Sequence, residues 1–143
     1  MGFAVAEALV AGGAMVVVSG RDQAALSEAH TRLAALGSGA ADRVAIARGD
    51  LREESTSERA VRTTIDRFDG LDVLINNAGV GRFEDVATLS GDAWREVIET
   101  NLNAVFYCCR AAIPLMRQRG SGWIVNISSL AGSHPFATGA AYC

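Results

Sequence analysis

Ser128 and Ser129 close an apolar run, and Tyr142 follows Ser129 by 13 residues. A serine hydroxyl donates and accepts hydrogen bonds, and a phenol does the same and can also release its proton. A free phenol has a pKa of about 10, so it is rarely ionised at pH 7 unless a nearby cation favours the phenolate. Asn101 lies 28 residues before Ser129, within an apolar helical stripe and three residues after Ile98. A polar amide on a core-facing stripe costs free energy unless it is hydrogen-bonded. Two readings of it stand open: a helix–helix contact, or support for a reactive site. Leu74-Ile75-Asn76-Asn77-Ala78-Gly79 sets Asn and Gly directly after a buried strand. These residues suit a sharp turn, at the strand end where open α/β sheets bind ligands. His30 reads as structural, on a helix surface. His134 and Phe136 either border a substrate or lie on an exposed loop, and no catalytic triad is expected around His134.

The elements that must position these groups are legible as a repeat. Four apolar runs cover residues 14–19, 44–48, 71–75 and 123–127. They are continuous rather than alternating, as in strands covered on both faces. Helical spacing fills the intervals. Residues 3–11 bring Phe3, Ala6, Leu9 and Val10 together. Residues 23–36 carry Leu26, Ala29, Leu33 and Leu36, and residues 54–68 carry Val61, Ile65 and Phe68. The longest helix, 91–117, has a stripe through Trp94, Val97, Ile98, Leu102, Val105, Phe106, Cys109, Ile113 and Met116. Ser90 is its N-cap, Asp92 suits the positive end of its dipole, and Pro114 is expected to bend it or end it early. Strands alternating with helices predict an α/β layered sheet with right-handed crossovers. No linker-like stretch divides residues 1–143, so one domain is expected.

Composition excludes other classes. Half of the 143 residues are apolar and one fifth charged, with 2 Pro, which is not a disordered or low-complexity chain. The net charge is −3 and the basic residues are scattered, so neither nucleic acid nor an acidic membrane surface is an expected partner. Residues 1–18 lack the basic start of a signal peptide, and Glu7, Gly12 and Gly13 argue against a spanning helix. Cys108, Cys109 and Cys143 have no metal-ligand spacing and form no disulfide framework. No metal is expected, and a reducing cytoplasm is the expected location.

Taken in order, the motifs resemble those of the short-chain dehydrogenase/reductase family. The matching features are Gly2 as the last glycine of T-G-x-x-x-G-x-G, Asp50-Leu51, Asn76–Gly79, Asn101, Ser128-Ser129 and Tyr142. The stretch from Gly2 to Leu9, followed by Gly13 to Val18, resembles the end of a phosphate loop, its helix and the second strand of a dinucleotide fold. The resemblance implies a Rossmann-type doubly wound parallel sheet, a nicotinamide cofactor and carbonyl/alcohol redox chemistry. By position, Tyr142 aligns with the general acid/base, Ser129 with the hydroxyl that orients the substrate oxygen, and Asn101 with a residue that holds a water in the proton relay. Asp50 aligns with a carboxylate near the adenine amino group and Leu51 with a contact to the ring. Asn77, Ala78 and Gly79 align with backbone lining the adenosine ribose. Asp50 also has an N-cap reading, since Glu53 lies three residues later as in a capping box.

Cofactor choice falls at Val18-Ser19-Gly20-Arg21-Asp22. An NAD site places an acid there for the ribose 2′-hydroxyl, and in the family that acid would stand at Gly20. Glycine offers no carboxylate, and the Arg21 guanidinium can bind a 2′-phosphate. NADP(H) is therefore favoured over NAD(H), with Asp22 the dissenting charge beside Arg21.

The resemblance also implies features that these residues do not contain: a first strand with T-G-x-x-x-G, a Lys four residues after Tyr142, and later strands. Both ends are expected to be cut. The implied strand order is 3-2-1-4-5, which here leaves a gap between residues 14–19 and 71–75, with two unpaired inner edges. The chain alone is expected to be unstable and inactive. The parent is expected to be an NADP(H)-dependent oxidoreductase of a small carbonyl or alcohol, 3-oxoacyl reductase-like or another ketoreductase. It is expected to form a homodimer or homotetramer. The alternatives are a non-catalytic nucleotide-binding pseudoenzyme or truncated product, and a sugar-nucleotide epimerase or dehydratase. The N-N-A-G turn and the double serine argue against the epimerase or dehydratase.

Overall fold

A computed structural model describes residues 1–143. In chain order, α1 is Gly2–Ala11, β1 Val16–Gly20, α2 Gln23–Ala34, β2 Val44–Arg48, α3 Glu54–Phe68, β3 Val73–Asn76, α4 Gly91–Ile98, α5 Ala104–Arg119 and β4 Trp123–Asn126. Local chemistry sets several ends. Asp22 caps α2 by accepting from the Ala25 N–H at 2.8 Å, and Ser90 caps α4 by accepting from the Ala93 N–H at 3.1 Å. Gly120 ends α5 with a φ of 78°, the left-handed geometry that glycine adopts without steric cost.

The strands form two parallel pairs. Val16 to Gly20 run beside Val44 to Arg48, and Val73 to Asn76 beside Trp123 to Asn126. No hydrogen bond joins β1 to β3. The space between them is a cavity of about 260 Å³, walled by Val16, Val17 and Val18 on one side and Leu74 and Ile75 on the other. That is where the expected order 3-2-1-4-5 leaves its gap. Helices α1 and α2 pack on one side of the first pair, and α3 packs on its other side and against α5. The core is split in the same way. Ala6, Val10, Leu33, Ala40 and Val44 form one cluster, and Val61, Leu71, Ala112 and Met116 the other. This is a Rossmann-type α/β arrangement with helices on both faces.

Three expectations are corrected. The run 123–127 is not covered on both faces: every residue of β4 is exposed, Trp123 by 75%. Its pairing partner is β3, and α5 packs on β3 rather than over β4. Leu36 is exposed, because α2 ends at Ala34 and the chain turns away before the stripe is complete.

The third correction concerns the long helix, which runs on to Arg119 but changes winding between Ile98 and Ala104. Residues Glu99–Asn103 form a π turn, which holds one extra residue per turn and rotates the helical positions beyond it. Val97, Ala104, Cys108, Ala112 and Met116 are the buried set, while Trp94, Leu102 and Phe106 face outward. Pro114 does not end the helix. It lies on the exposed face, where the carbonyl it leaves unpaired can meet water.

Candidate functional site at the carboxyl ends of the strands

The Asn76–Gly79 turn leaves the end of β3, and its two asparagines do different work. Asn76 is buried. Its Nδ2 donates to Asn126 Oδ1 at 2.8 Å and to Cys109 Sγ at 3.6 Å. Because Asn76 and Asn126 are register partners, this amide pair ties the ends of β3 and β4 together. Asn77 meets the start of α1: a Cβ on Gly2 would lie 2.8 Å from Asn77 Nδ2, so glycine permits this approach. The Asn77 Oδ1 is buried without a partner. Ala78 and Gly79 continue toward Asn101.

Asn101 sits in the π turn. Its Nδ2 donates to the Val80 carbonyl, and its Oδ1 accepts from the Val80 N–H, both at 2.8 Å. The structure thus shows how a polar group on this stripe is satisfied: it holds the chain just beyond Gly79. Each end of the amide keeps one further hydrogen-bonding position.

Ser129 caps a short 3-10 turn, Leu130–Gly132, by accepting from the Ala131 N–H at 3.2 Å. Its O–H proton is not used in that contact. The ring of Tyr142 meets Phe83 edge-on, with centroids 5.4 Å apart, and Phe83 in turn meets Phe136 at 5.7 Å. Asn77, Ala78, Gly79, Asn101, Ser129 and Tyr142 all line one open cavity of about 640 Å³. His134 faces Ser133, with Nδ1 2.9 Å from its Oγ, and stands apart from that lining.

The other expected residues gather at the ends of β1 and β2. Gly20 is the last residue of β1, and Arg21 comes next with its side chain 56% exposed. Asp22 caps α2 and makes no ion pair with Arg21. The carboxylate nearest Arg21 is Asp50, at 3.8 Å. The N-cap reading of Asp50 fails, since α3 begins at Glu54 with Glu53 at the cap position. Asp50 instead bends back on Arg52. Its Oδ1 accepts from the Arg52 N–H at 3.1 Å, as in an Asx turn, and the Arg52 guanidinium grips both oxygens at 2.6–3.0 Å. The hydrogen bonds from Arg52 hold the Asp50 carboxyl below the usual carboxylate range, against the opposing effect of partial burial. Leu51 is half-buried beside the 260 Å³ cavity.

Three contributors were not anticipated. Arg52 lies two residues after Asp50, a spacing that permits an Asx turn. Val80 acts through its backbone, and Phe83 through a contact across the fold, so neither leaves a mark in the local sequence. Cys108 is buried against Ser57 at 3.4 Å, and burial pushes its thiol pKa up. No helix is long and apolar enough to cross a membrane.

Comparison with known proteins bears on the family and the fold. An NADP-dependent 3-hydroxy acid dehydrogenase of Salmonella typhi is 34% identical over 142 residues, 99% of this chain and 54% of the relative. A 3-oxoacyl-[acyl-carrier-protein] reductase of Synechocystis is 33% identical over 132 residues, 92% of this chain and 52% of the relative. The crystal structure of an actinorhodin polyketide ketoreductase with NADPH superimposes with a TM-score of 0.91 at 30% identity, covering 98% of this chain and 53% of that one. The chain therefore spans about half the length of these relatives. Residues 1–143 match the family described as short chain dehydrogenase. With the N-N-A-G turn, the amide in the π turn and the Ser and Tyr hydroxyls around one cavity, this chain belongs to the short-chain dehydrogenase family.

Proposed function

We propose that this chain forms the cofactor-binding and proton-transfer part of an NADP(H)-dependent oxidoreductase. Its substrate would be a small carbonyl or alcohol, of the 3-oxoacyl reductase or another ketoreductase kind. The observation that carries the reading is the convergence of Asn101, Ser129, Tyr142 and the Asn77–Gly79 turn on one 640 Å³ cavity. The chain's own features fit a nicotinamide dinucleotide. Helix α1 begins at Gly2 beside Asn77, and a helix N-terminus is a place that favours phosphate. Asn77 Oδ1 is a buried acceptor without a donor. Arg21 stands exposed where a 2′-phosphate would be read, and no acid occupies Gly20. The NADP dependence named for the Salmonella relative and the NADPH in the ketoreductase structure support the choice.

When bound, the nicotinamide supplies a hydride to the carbonyl carbon or takes one from the alcohol carbon. Tyr142 gives its phenolic proton to the substrate oxygen during reduction and takes it back during oxidation. Ser129 donates its unused O–H proton to the same oxygen, which orients the carbonyl and stabilises the charge that builds on it. Asn101 holds the turn at Val80, so Ala78 and Gly79 keep a fixed place beside the cofactor. Exposed Trp94, Leu102 and Phe106 on the outer side of α4 and α5 support a subunit interface, in keeping with a homodimer or homotetramer.

The test is NADPH oxidation by the full protein against a panel of 3-oxoacyl thioesters, cyclic ketones and open-chain ketones. Turnover of at least one class, lost in Tyr142→Phe, is expected. Tight NADPH binding with no turnover of any class would instead favour a nucleotide-binding protein without catalysis.

A further inference from the structure

Two guanidinium groups compete for one carboxylate at the ends of β1 and β2. Arg52 Nη2 lies 2.6 Å from Asp50 Oδ2, and Arg21 Nη1 lies 3.8 Å from the same oxygen. Arg52 also binds Oδ1 through its backbone N–H and its Nε, at 3.1 and 3.0 Å. Arg52 therefore makes hydrogen bonds to both Asp50 oxygens, whereas Arg21 makes no hydrogen bond to Asp50. The next carboxylate in sequence, Asp22, caps α2 and is not paired with Arg21. The Arg48 Nε donates to the Arg21 carbonyl at 3.4 Å, which anchors the backbone and leaves the Arg21 side chain only its 3.8 Å ion pair with Asp50, without a hydrogen bond. Glu96 and Glu99, from the long helix, add negative charge on the Arg52 side.

We propose that Arg52 is a positioning residue for cofactor choice: by occupying both oxygens of Asp50 it keeps that carboxylate from capturing Arg21. The Arg21 charge is thereby left for a phosphate on the adenosine ribose. The inference deepens the NADP(H) reading above and rests on it. A planar guanidinium suits this task because it satisfies a carboxylate bidentately, which an ammonium cannot do. Without Arg52, Asp50 has one cation within reach. Arg21 then closes from 3.8 Å to hydrogen-bond that carboxylate, and the same carboxylate repels the incoming phosphate.

The test is a double-mutant cycle read as binding rather than turnover. Dissociation constants for NADPH and NADH are measured by protein fluorescence on the full protein, for wild type, Arg52→Gln, Asp50→Asn and the double variant. Arg52→Gln is expected to cut the NADPH-over-NADH preference by about five- to tenfold, mostly through weaker NADPH binding. Adding Asp50→Asn is expected to return the preference to within about twofold of Asp50→Asn alone, because an amide carries no charge to capture Arg21. Arg52→Lys is expected to fall between wild type and Arg52→Gln, and it serves if Arg52→Gln folds poorly. A preference unchanged in both Arg52 variants overturns the inference alone. So does a double variant as impaired as Arg52→Gln. Equal affinity of the wild type for both cofactors overturns the NADP(H) reading, and the inference with it.

Discussion

Asn101 and Val80 are joined by two hydrogen bonds of 2.8 Å, one in each direction, across 21 residues of chain. The contact makes a π turn in the long helix serve as the fixed point for the loop that leaves β3. Asn101→Ala would leave a part-buried N–H and C=O without partners. At about 1 kcal/mol for each bond, a loss near 2 kcal/mol in urea unfolding is expected. Asn101→Asp keeps the acceptor for the Val80 N–H but sets a carboxylate against the Val80 carbonyl. It should therefore lose at least as much at neutral pH and recover part of the loss in acid.

Tyr142→Phe removes the phenolic proton and keeps the ring that meets Phe83. Turnover is expected to fall by about 10²–10⁴-fold, with NADPH affinity unchanged within about twofold. A steady-state rate beside a fluorescence titration of NADPH checks both halves. A parallel loss of affinity would mean that the ring had moved, not that a proton donor had gone.

Gly20→Asp would place a carboxylate beside Arg21 and the adenosine ribose. A Cβ there meets Leu26 at 3.4 Å, so the backbone has room with slight adjustment of a flexible side chain. NADPH binding should weaken by at least about tenfold while NADH binding holds or improves. The ratio of the two dissociation constants is the readout, and an unchanged ratio would show that the end of β1 does not choose the cofactor.

Asp50 links the same corner to pH. Its folded-state pKa is depressed, chiefly by the hydrogen bonds from Arg52. The stability it contributes is therefore fully present above the ordinary carboxylate pKa of about 3.9 and is lost as pH falls through the lowered value. Urea midpoints measured from pH 6 downward should fall less steeply in Asp50→Asn than in wild type. Equal slopes would show that the pair with Arg52 contributes nothing net.

Much of the fold is legible in the residues alone. The runs at 14–19, 44–48 and 71–75 overlap the strands Val16–Gly20, Val44–Arg48 and Val73–Asn76, and the Asn76–Gly79 turn falls at a strand end as its residue types demand. The run at 123–127 shows the limit of that reading. Continuous apolar character says that a strand is suited to burial, not that something covers it, and β4 is exposed along its length. The stripe on the long helix misled for another reason. The buried face runs through Val97, Ala104, Cys108, Ala112 and Met116, and a stripe wide enough to include Trp94, Leu102 and Phe106 takes in positions that lie off it. Arg52 escaped notice because its role depends on a competition between two cations for Asp50, which no single spacing displays.

The cavity between β1 and β3 bears on how this chain comes apart. One cluster of buried residues is built on α1, α2 and the first strand pair, the other on α3, α5 and β3, and the two share no member. Cooperative unfolding depends on contacts that make the loss of one part intolerable to the next. Here α3 packs on both halves, and no backbone ladder crosses the divide. Amide protons of β1 and β2 should exchange with solvent at a different free energy of opening from those of β3 and α5. The chain should melt as two coupled units, with α3 going with α5 and β3, whose buried cluster holds its Val61.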